Sequence, residues 1–274
     1  KIINFSFDHQ YFPKSRSIRQ SFFYLKYFVL IRELLRDSQN EIPEYLDEII
    51  FYLGQSYNFF WQKNKQSYLF NGNHETNNSV FDAYLHEHRY TFRSETNNIG
   101  GYALLQNNKN TLIMDIGGSP ERKFSNNSQS GPLSFEFTYL DNKIISNSGY
   151  FQNNNHQLNN ISRSTAAHST LIIDNTSVSS FKKNVYGKKY ITNKYKVFDK
   201  KISSERDSWL LSGSHDGYLK SHGIIHKRTL NFFKKDLSLK GEDILIRKKN
   251  FKETLFEIRF HLYPNSKITK TIDN

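Results

Sequence analysis

The chain of 274 residues contains no cysteine. Disulfide bonds, thiolate zinc sites and a cysteine nucleophile are therefore excluded. The chain also lacks an uninterrupted apolar run of about 18 residues, which is the length that crosses a bilayer. Its strongest apolar stretch, residues 22–35, is broken by Lys26, Arg32 and Glu33. We therefore expect no transmembrane segment.

Several catalytic and binding signatures are missing as well. There is no GxSxG elbow and no HExxH pair, and the glycines at 117 and 118 are not followed by the lysine of a phosphate-binding loop. No helix-turn-helix, zinc-finger or aromatic RNA-binding signature occurs, so nucleic acid is not an expected partner. The net charge of +12 favours an anionic partner. The lysines are spread along the chain, however, and a compositional bias explains them equally well.

Two segments near the start have the pattern of helices. Residues 17–37 carry apolar side chains on most of the helix surface and contain no glycine or proline, which predicts a helix buried on more than one side. A second helix is predicted from Pro43 to Trp61, because proline suits a first helical turn and apolar residues recur every three or four positions. We expect the two helices to pack antiparallel.

From about Tyr90 the period changes to that of antiparallel strands. Short apolar or alternating runs separated by turn residues lie at 90–95, 101–106, 110–117, 133–140, 143–149, 169–174, 208–217, 224–233, 243–249 and 255–264. Residues 151–161 are interpreted as a polar loop. Helices followed by a long block of strands predict an α+β protein.

With ten histidines and no cysteine, any metal site has to use histidine with aspartate or glutamate. His86 and His88 would share one face of a strand, where they could chelate zinc or simply be exposed. His226 with Arg228, and Arg259 with His261, are likewise two residues apart. Such pairs suit recognition of a carboxylate or sulfate, or form an ordinary charged strand surface.

A series of short motifs covers roughly residues 60–265 in a fixed order. It consists of LFNG at 69–72, GYA at 101–103, LSFE at 133–136, NSG at 147–149, RSTAAHSTL at 163–171, HDGY at 215–218, HKR at 226–228, GED at 241–243 and RFHLYP at 259–264. This series resembles the heparinase II/III-like polysaccharide lyases. The resemblance implies the last helices of an incomplete (α/α) toroid over residues 1–75 and a large antiparallel β-sandwich over residues 76–274, both truncated. We accordingly expect a fragment of a longer protein.

The resemblance also implies an activity. Members of this family act as carbon–oxygen lyases that cleave acidic, uronate-containing polysaccharides, such as glycosaminoglycans or alginate-like polymers, by β-elimination. The implied partner is an acidic polysaccharide, and the implied location is the periplasm or cell envelope of a Gram-negative bacterium, with the cytoplasm left open. The alternative is a non-catalytic glycan-binding or cell-envelope member that has lost its catalytic base.

Candidate site residues follow from the motif positions. His168 matches a catalytic and metal-ligand histidine, and the resemblance implies zinc as a cofactor in some members. Asn147 stands where zinc-binding members tend to have aspartate, and Gln129 stands where relatives often have histidine. Tyr11 lies near the position of an expected N-terminal catalytic residue. Residues expected to bind or support the substrate are Arg163, His215, His226, Arg228, Arg259 and His261.

Overall fold

The structure, a computed structural model, describes residues 2–62, 65–248, 253–264, 266, 267 and 269. Helices come first and antiparallel strands follow, which is the α+β order that the sequence predicts. The outer limits of the two predicted domains, residues 1 and 274, and the last residue of the predicted run 243–249 lie outside the described residues. The boundary between the predicted domains stays a prediction.

The helices carry most of the N-terminal part. They are α1 (Ile2–Ser6), α2 (Ile18–Asp37), α3 (Glu44–Tyr57) with a π-helical turn at Asn58–Gln62, α4 (Ser79–Glu87), α5 (Gln157–Arg163) and α6 (Leu219–His222). Short 3₁₀ turns occur at Arg122–Phe124 and Thr165–Ala167.

The two long predicted helices are confirmed. The side chain of Ser17 accepts a hydrogen bond from the backbone N–H of Gln20 and so caps α2, while α3 begins directly after Pro43. Phe22, near the start of α2, packs edge-to-face on Tyr57 at the end of α3, with ring centroids 4.9 Å apart. Arg32, near the end of α2, pairs with Asp47 at the start of α3. The two helices are therefore antiparallel, as predicted.

Helix α2 differs from the prediction in its burial. Its buried residues form one face, whereas Phe23, Tyr27 and Leu34 on the other face are each more than half exposed. The prediction of a helix buried on more than one side is therefore wrong for this chain. Within the described ranges, no helix is long and apolar enough to cross a membrane.

Fourteen strands follow in the described part of the chain. They are β1 (Asn98–Ile99), β2 (Tyr102–Gln106), β3 (Asn110–Asp115), β4 (Phe135–Tyr139), β5 (Asn142–Ser146), β6 (Leu171–Ile173), β7 (Phe181–Lys183), β8 (Lys189–Ile191), β9 (Val197–Ser204), β10 (Ser208–His215), β11 (Ile224–Phe233), β12 (Ser238–Arg247), β13 (Phe256–Ile258) and β14 (His261–Leu262). A six-stranded sheet has the order β1-β2-β3-β4-β5-β14, and a four-stranded sheet has the order β12-β11-β10-β9. Two-stranded pairs are formed by β13 with β6 and by β7 with β8.

The central strands of the six-stranded sheet, β2 and β3, are buried on both faces. Leu104 and Ile113 point toward the helices and share their core. Leu105 and Met114, one position along, pack instead with the inward side chains of the four-stranded sheet. Side chains on a strand alternate between faces, so a sheet between two layers becomes apolar along its whole length. The molecule is thus a β-sandwich with helices against one of its sheets.

Three local predictions are wrong, and some strands are not predicted. Residues 90–95 form no strand, and His86 and His88 lie at the end of α4, where residues two apart do not face each other. The predicted loop at 151–161 includes the start of α5, because His156 accepts a hydrogen bond from the N–H of Leu158 and caps that helix. Strand β9 was not predicted at all, since its mixed lysine and serine sequence conceals the alternation.

An ion pair joins the helical layer to the sheet. Arg16, just before α2, contacts Asp115 at the end of β3 at 2.5 Å, and the two side chains are 11% and 3% exposed. The guanidinium also donates to the carbonyl oxygens of Gly100, Gly101 and Gly118. A Cβ atom on Gly117 would lie 2.2 Å from the guanidinium carbon of Arg16, so only glycine fits there.

We expect Asp115→Asn to lower the free energy of unfolding by about 3 kcal/mol, because Arg16 would keep a buried charge without its counter-ion. Denaturant unfolding measures this change. The control is Asp47→Asn, which removes the partner of Arg32 at a half-exposed position and should cost less than about 1 kcal/mol. Equal losses of unfolding free energy in the two variants would show that the buried Arg16–Asp115 pair stabilises the fold no more than an exposed ion pair does.

Candidate functional site

His168 lies between the 3₁₀ turn Thr165–Ala167 and strand β6, and its side chain is buried at 1% exposure. Its Nδ1 is 2.8 Å from the carbonyl oxygen of Ser164, which can only accept, so Nδ1 carries the proton. Burial lowers the pKa of His168 to about 4, and the imidazole is therefore neutral at pH 7. Nε2 is left with a lone pair, and no described residue donates a hydrogen bond to it.

Gly131 forms one wall around this imidazole. A Cβ atom at position 131 would lie 2.5 Å from Cδ2 of His168, so any larger residue would displace the ring. Glycine is thus required here by the approach of the histidine. The LSFE motif that follows supplies Ser134, whose hydroxyl donates to the carbonyl oxygen of Gly131 and holds the turn.

Gln129 is buried, and its side-chain amide is fully engaged by the backbone. Its Oε1 accepts from the N–H of Gly72 at 3.0 Å, while Nε2 donates to the carbonyl oxygens of Gly149 and Ser162 at 2.9 and 2.6 Å. The amide therefore ties together the loop after α3, the NSG motif and helix α5. No donor remains for a substrate carboxylate in this arrangement, and the predicted catalytic role of Gln129 stays a prediction.

Asn147 is held in a similar way. Its Oδ1 accepts from the N–H of Ser169 at 2.9 Å, directly beside His168, and its Nδ2 lies 3.3 Å from Oε1 of Glu136. Glu136 also accepts the backbone N–H groups of Asn147 and Leu69, each at 3.0 Å. Burial raises the pKa of Glu136. The asparagine thus positions the His168 segment through its amide.

The donor set does not fit zinc. Nε2 of His168 could ligate a metal, but the oxygen of Asn147 is committed to the Ser169 N–H and its nitrogen faces Glu136. Within the described ranges, no three histidine, aspartate or glutamate side chains are grouped to hold an ion. His88, the other predicted ligand, lies 2.9 Å from Glu33 instead, and His86 is exposed. We derive no step through a metal.

A hydrogen-bonded chain runs through the four-stranded sheet. The N–H of Gly217 donates to Nδ1 of His215 at 3.1 Å, which makes Nε2 of His215 the donor to Nδ1 of His226 at 3.0 Å. His226 in turn donates from Nε2 to Asp243 at 2.6 Å. Both histidines are fully buried, and burial lowers the pKa of each, so both are neutral. Every ring nitrogen in this chain has a partner.

Arg228 connects this chain to the His168 segment. It donates to both carboxylate oxygens of Asp243, at 2.8 and 3.0 Å, and to the carbonyl oxygens of Leu133 and Ser169. Against the opposing effect of burial, hydrogen bonds from His226 and Arg228 hold the pKa of Asp243 at about 2. From the four-stranded sheet, Arg228 therefore holds the backbone at Leu133, in the LSFE motif, and at Ser169, directly after His168.

This geometry concerns three residues that the sequence predicts either to line the cleft or to support it. His226 and Arg228 do project from one face of β11, as their spacing predicts, but that face points into the sandwich. They and His215 are 0–1% exposed and have saturated hydrogen bonds. None presents a surface to a polysaccharide, so their position is a supporting one.

Arg163 is also buried, at 1% exposure. It donates to Asn159 at 3.0 Å, to the carbonyl oxygen of Ser128 at 2.9 Å, to the hydroxyl of Tyr150 at 2.7 Å and to the carbonyl oxygen of Asn126. All these partners are neutral groups. Burial lowers the pKa of Arg163, which is the result expected for a cation without a counter-ion.

The three remaining predicted residues lie in different places. His261 reaches the site, since its Nε2 is 2.9 Å from the carbonyl oxygen of Ala166 and its N–H donates to the hydroxyl of Ser169. Arg259 turns toward solvent and pairs with Glu257. Tyr11 stays among the helices, stacked on Tyr52 at 5.0 Å, where a hydrogen bond with Glu48 raises its pKa.

Sequence reasoning missed several supporting residues. Glu136 and Asn71 occur in the sequence motifs, but the motifs do not reveal their structural roles. Asn71 donates to Asp115 and accepts from the N–H of Gln129. Lys143, 3.3 Å from Glu136, is the third. A charged residue within a buried strand is a recognisable signal, because burial requires a partner.

The depressed pKa of His168 predicts a change of stability with pH. The unfolded chain protonates this histidine near pH 6.5 and the folded chain only near 4, so stability is lost as pH falls from 6.5 to 4, by about 3 kcal/mol. His168→Gln should remove that share of the pH dependence in urea unfolding, while His86→Gln at an exposed position should leave it. An unchanged pH profile in His168→Gln would disprove the assigned neutral state.

Solved structures resemble this chain in fold. A crystal structure of a mutant of the heparan sulfate lyase HepC from Pedobacter heparinus aligns with a TM-score of 0.65 and 14% identity, over 85% of this chain and 38% of that one. A crystal structure of heparinase III aligns with a TM-score of 0.61 and 16% identity, over 85% of this chain and 40% of that one. This chain thus spans about two fifths of the length of these enzymes.

Family membership rests on the sequence itself. No curated protein matches the chain. The family model described as heparinase II/III-like, C-terminal, matches residues 92–274, which is more than half of the chain and contains the sandwich, the His168 segment and the Arg228–Asp243 pair. The chain therefore belongs to the heparinase II/III-like family.

Proposed function

We propose that this chain is part of a polysaccharide lyase that cleaves an acidic, uronate-containing glycan by β-elimination, with His168 as the proton acceptor. The observation that carries the proposal is the unpaired Nε2 of His168. Its lone pair exists because the hydrogen bond to Ser164 fixes the proton on Nδ1. Family membership and the lyase-like fold support the same reaction class.

The reaction needs a base whose lone pair is available. In β-elimination the C5 proton of the uronate passes to Nε2, its electron pair forms the C4–C5 double bond, and the bond from C4 to the glycosidic oxygen breaks. That oxygen then takes up a proton from the imidazolium formed at His168, which returns the ring to its neutral state. A pKa of about 4 makes His168 a weak base in the free chain, but a bound uronate places negative charge nearby and raises it.

Substrate access to His168 requires a local movement. The ring is 1% exposed, and Gly131 on one side and the Ser164 carbonyl on the other close around it. Under this proposal the glycan separates these segments when it binds, and the surrounding protein excludes water during proton transfer. A protein acting on such polymers fits the periplasm or cell envelope, which we propose as its location.

A second function is favoured by the bonding of two neighbours. Gln129 and Asn147 stand at motif positions where relatives often have histidine and aspartate. In this chain both side-chain amides are hydrogen-bonded to the backbone. A member with these residues can keep the fold and the glycan site without chemistry. The alternative proposal is therefore a non-catalytic glycan-binding protein of the cell envelope.

We expect His168→Asn to lower the rate of unsaturated uronate formation at least about 100-fold, because general-base catalysis supplies that much or more. The protein, in the form that its source organism makes, would be incubated with a panel of uronate polymers while the absorbance of the unsaturated product is recorded.

The matched control is His86→Asn at the exposed end of α4, which should retain full activity. Circular dichroism would confirm that both variants are folded. Full activity in a folded His168→Asn variant would refute His168 as the base. Glycan binding by the wild type without any product would instead establish the non-catalytic alternative.

A further inference from the structure

A basic groove lies beside helix α5, which Lys189 contacts through Asn159 and Asn160. It is defined by Arg122, Lys123, Lys188, Lys189, Tyr190 and Lys194 and has a volume of about 630 Å³. Its floor is formed by the 3₁₀ turn Arg122–Phe124 and the hairpin of β7 and β8. Five of the six defining residues are cationic, and Glu121 is the one acidic residue among its described lining.

Lys189 differs from the other lysines of this groove because it is buried, which is rare for a lysine. At 7% exposure its Nζ donates to the side-chain oxygens of Asn159 and Asn160, at 2.7 and 2.6 Å. Asn159 accepts from Arg163 through the same oxygen. Two buried cations therefore share one neutral acceptor, and in the described part of the chain no carboxylate lies within 4.0 Å of either.

Such an arrangement is energetically unfavourable without an anion. A buried charge is normally paired, since its lost hydration is otherwise uncompensated. Burial, together with repulsion from Arg163 and Lys183, lowers the pKa of Lys189. The Arg16 and Arg228 guanidinium groups are buried too, but each has its aspartate. Lys189 and Arg163 differ in that no described carboxylate pairs with either of them.

The rim adds further charge and an aromatic platform. Arg122 stacks on Tyr190, with its guanidinium carbon 3.9 Å from the ring centroid. Lys123 is paired with Glu121 at 3.3 Å, so one cation of the rim is neutralised. Lys188 and Lys194 are exposed and form no ion pair with a described carboxylate. The groove thus keeps an excess of positive charge around a half-buried tyrosine.

We infer that this groove binds a sulfate or carboxylate group of an acidic glycan, at a subsite separate from His168. The inference rests on the proposed glycan function and narrows it to a polyanionic substrate with charges on more than one sugar unit. A depression of this volume accommodates a sugar unit with its charged group. The remaining donor capacity of the lysines supplies the hydrogen bonds that an oxyanion accepts. A nucleic-acid strand is the competing polyanion and is treated as an outcome of the test.

The test compares two double variants with the same change in net charge. Lys188→Gln/Lys194→Gln removes exposed charge from the groove, and Lys201→Gln/Lys240→Gln removes exposed charge from β9 and β12 of the four-stranded sheet. Binding to a heparin-derived octasaccharide and to an unsulfated glucuronate-containing octasaccharide would be measured by titration calorimetry at two salt concentrations.

We expect the groove variant to lose roughly three- to tenfold in affinity and to show a weaker salt dependence, while the control pair changes less than twofold. A loss confined to the sulfated sugar identifies the bound group as sulfate, and a loss with both identifies carboxylate. Lys189→Met, checked for folding by its thermal midpoint, should weaken binding further.

Equal losses in the two double variants would overturn the inference, since net charge alone would then explain binding. An equal loss of affinity for a single-stranded oligonucleotide of the same charge would overturn the glycan assignment. The result does not depend on cleavage. If the wild-type protein binds the octasaccharide but forms no unsaturated product, the proposed lyase reaction is refuted, while the proposed binding of an anionic group at the groove is not affected.

Discussion

The Arg16–Asp115 ion pair determines how the helices and the sandwich meet. Asp115 ends a strand that is buried on both faces, and Arg16 precedes the first long helix, so the pair fixes the two layers at one point. Asn71 donates to the same carboxylate and accepts from the N–H of Gln129. The Gln129 side chain then reaches Ser162 in helix α5. A continuous line of buried polar contacts therefore extends from the helical layer to the segment that leads into His168. Because each group in this line would be costly to leave unpaired, the loops between the strands have little freedom.

The second sheet stabilises the same region from the opposite side. Arg228 forms an ion pair with Asp243 and donates further hydrogen bonds to the carbonyl oxygens of Leu133 and Ser169. His226 holds Asp243 in turn, and the neutral state of that histidine leaves the ion pair undisturbed near pH 7. His168 is consequently surrounded by hydrogen-bonded backbone that has to open locally before a substrate can reach the ring, and its own Nε2 is left without a partner. A ring nitrogen without a partner, on an imidazole whose other nitrogen is held by the Ser164 carbonyl, is the arrangement expected of a preorganised reactive group.

Periodicity predicted the large elements and failed on the small ones. The helices beginning after Ser17 and Pro43 and the apolar strands have strong repeating patterns, so local sequence determines them. Residues 90–95 alternate like a strand but pack against the helical core, where tertiary contacts override the local preference. The spacing of His226 and Arg228 correctly places both on one face of a strand. Which face is buried depends on the partner sheet, and Asp243 lies on a different strand, so the sequence alone could not show that the pair is internal.

The motifs that reveal the family are mostly residues that bond the backbone of a distant segment. Gln129, Asn147, Glu136 and Arg228 all do so, and their order along the chain therefore reports the fold more directly than it reports chemistry. A polar side chain indicates function where its bonding capacity is not used inside the protein. Among the ionisable side chains of the described structure, two places meet that criterion, because the other unbonded buried atoms belong to serines and amides or to Glu136, which pairs with Lys143. One is His168, whose Nε2 lone pair has no partner. The other is the pair of cations Arg163 and Lys189, which both donate to the neutral amide oxygen of Asn159 and have no described carboxylate partner. Under the proposed function, one acidic glycan would occupy both the groove and the surroundings of His168, and its negative charge would raise the proton affinity of the imidazole.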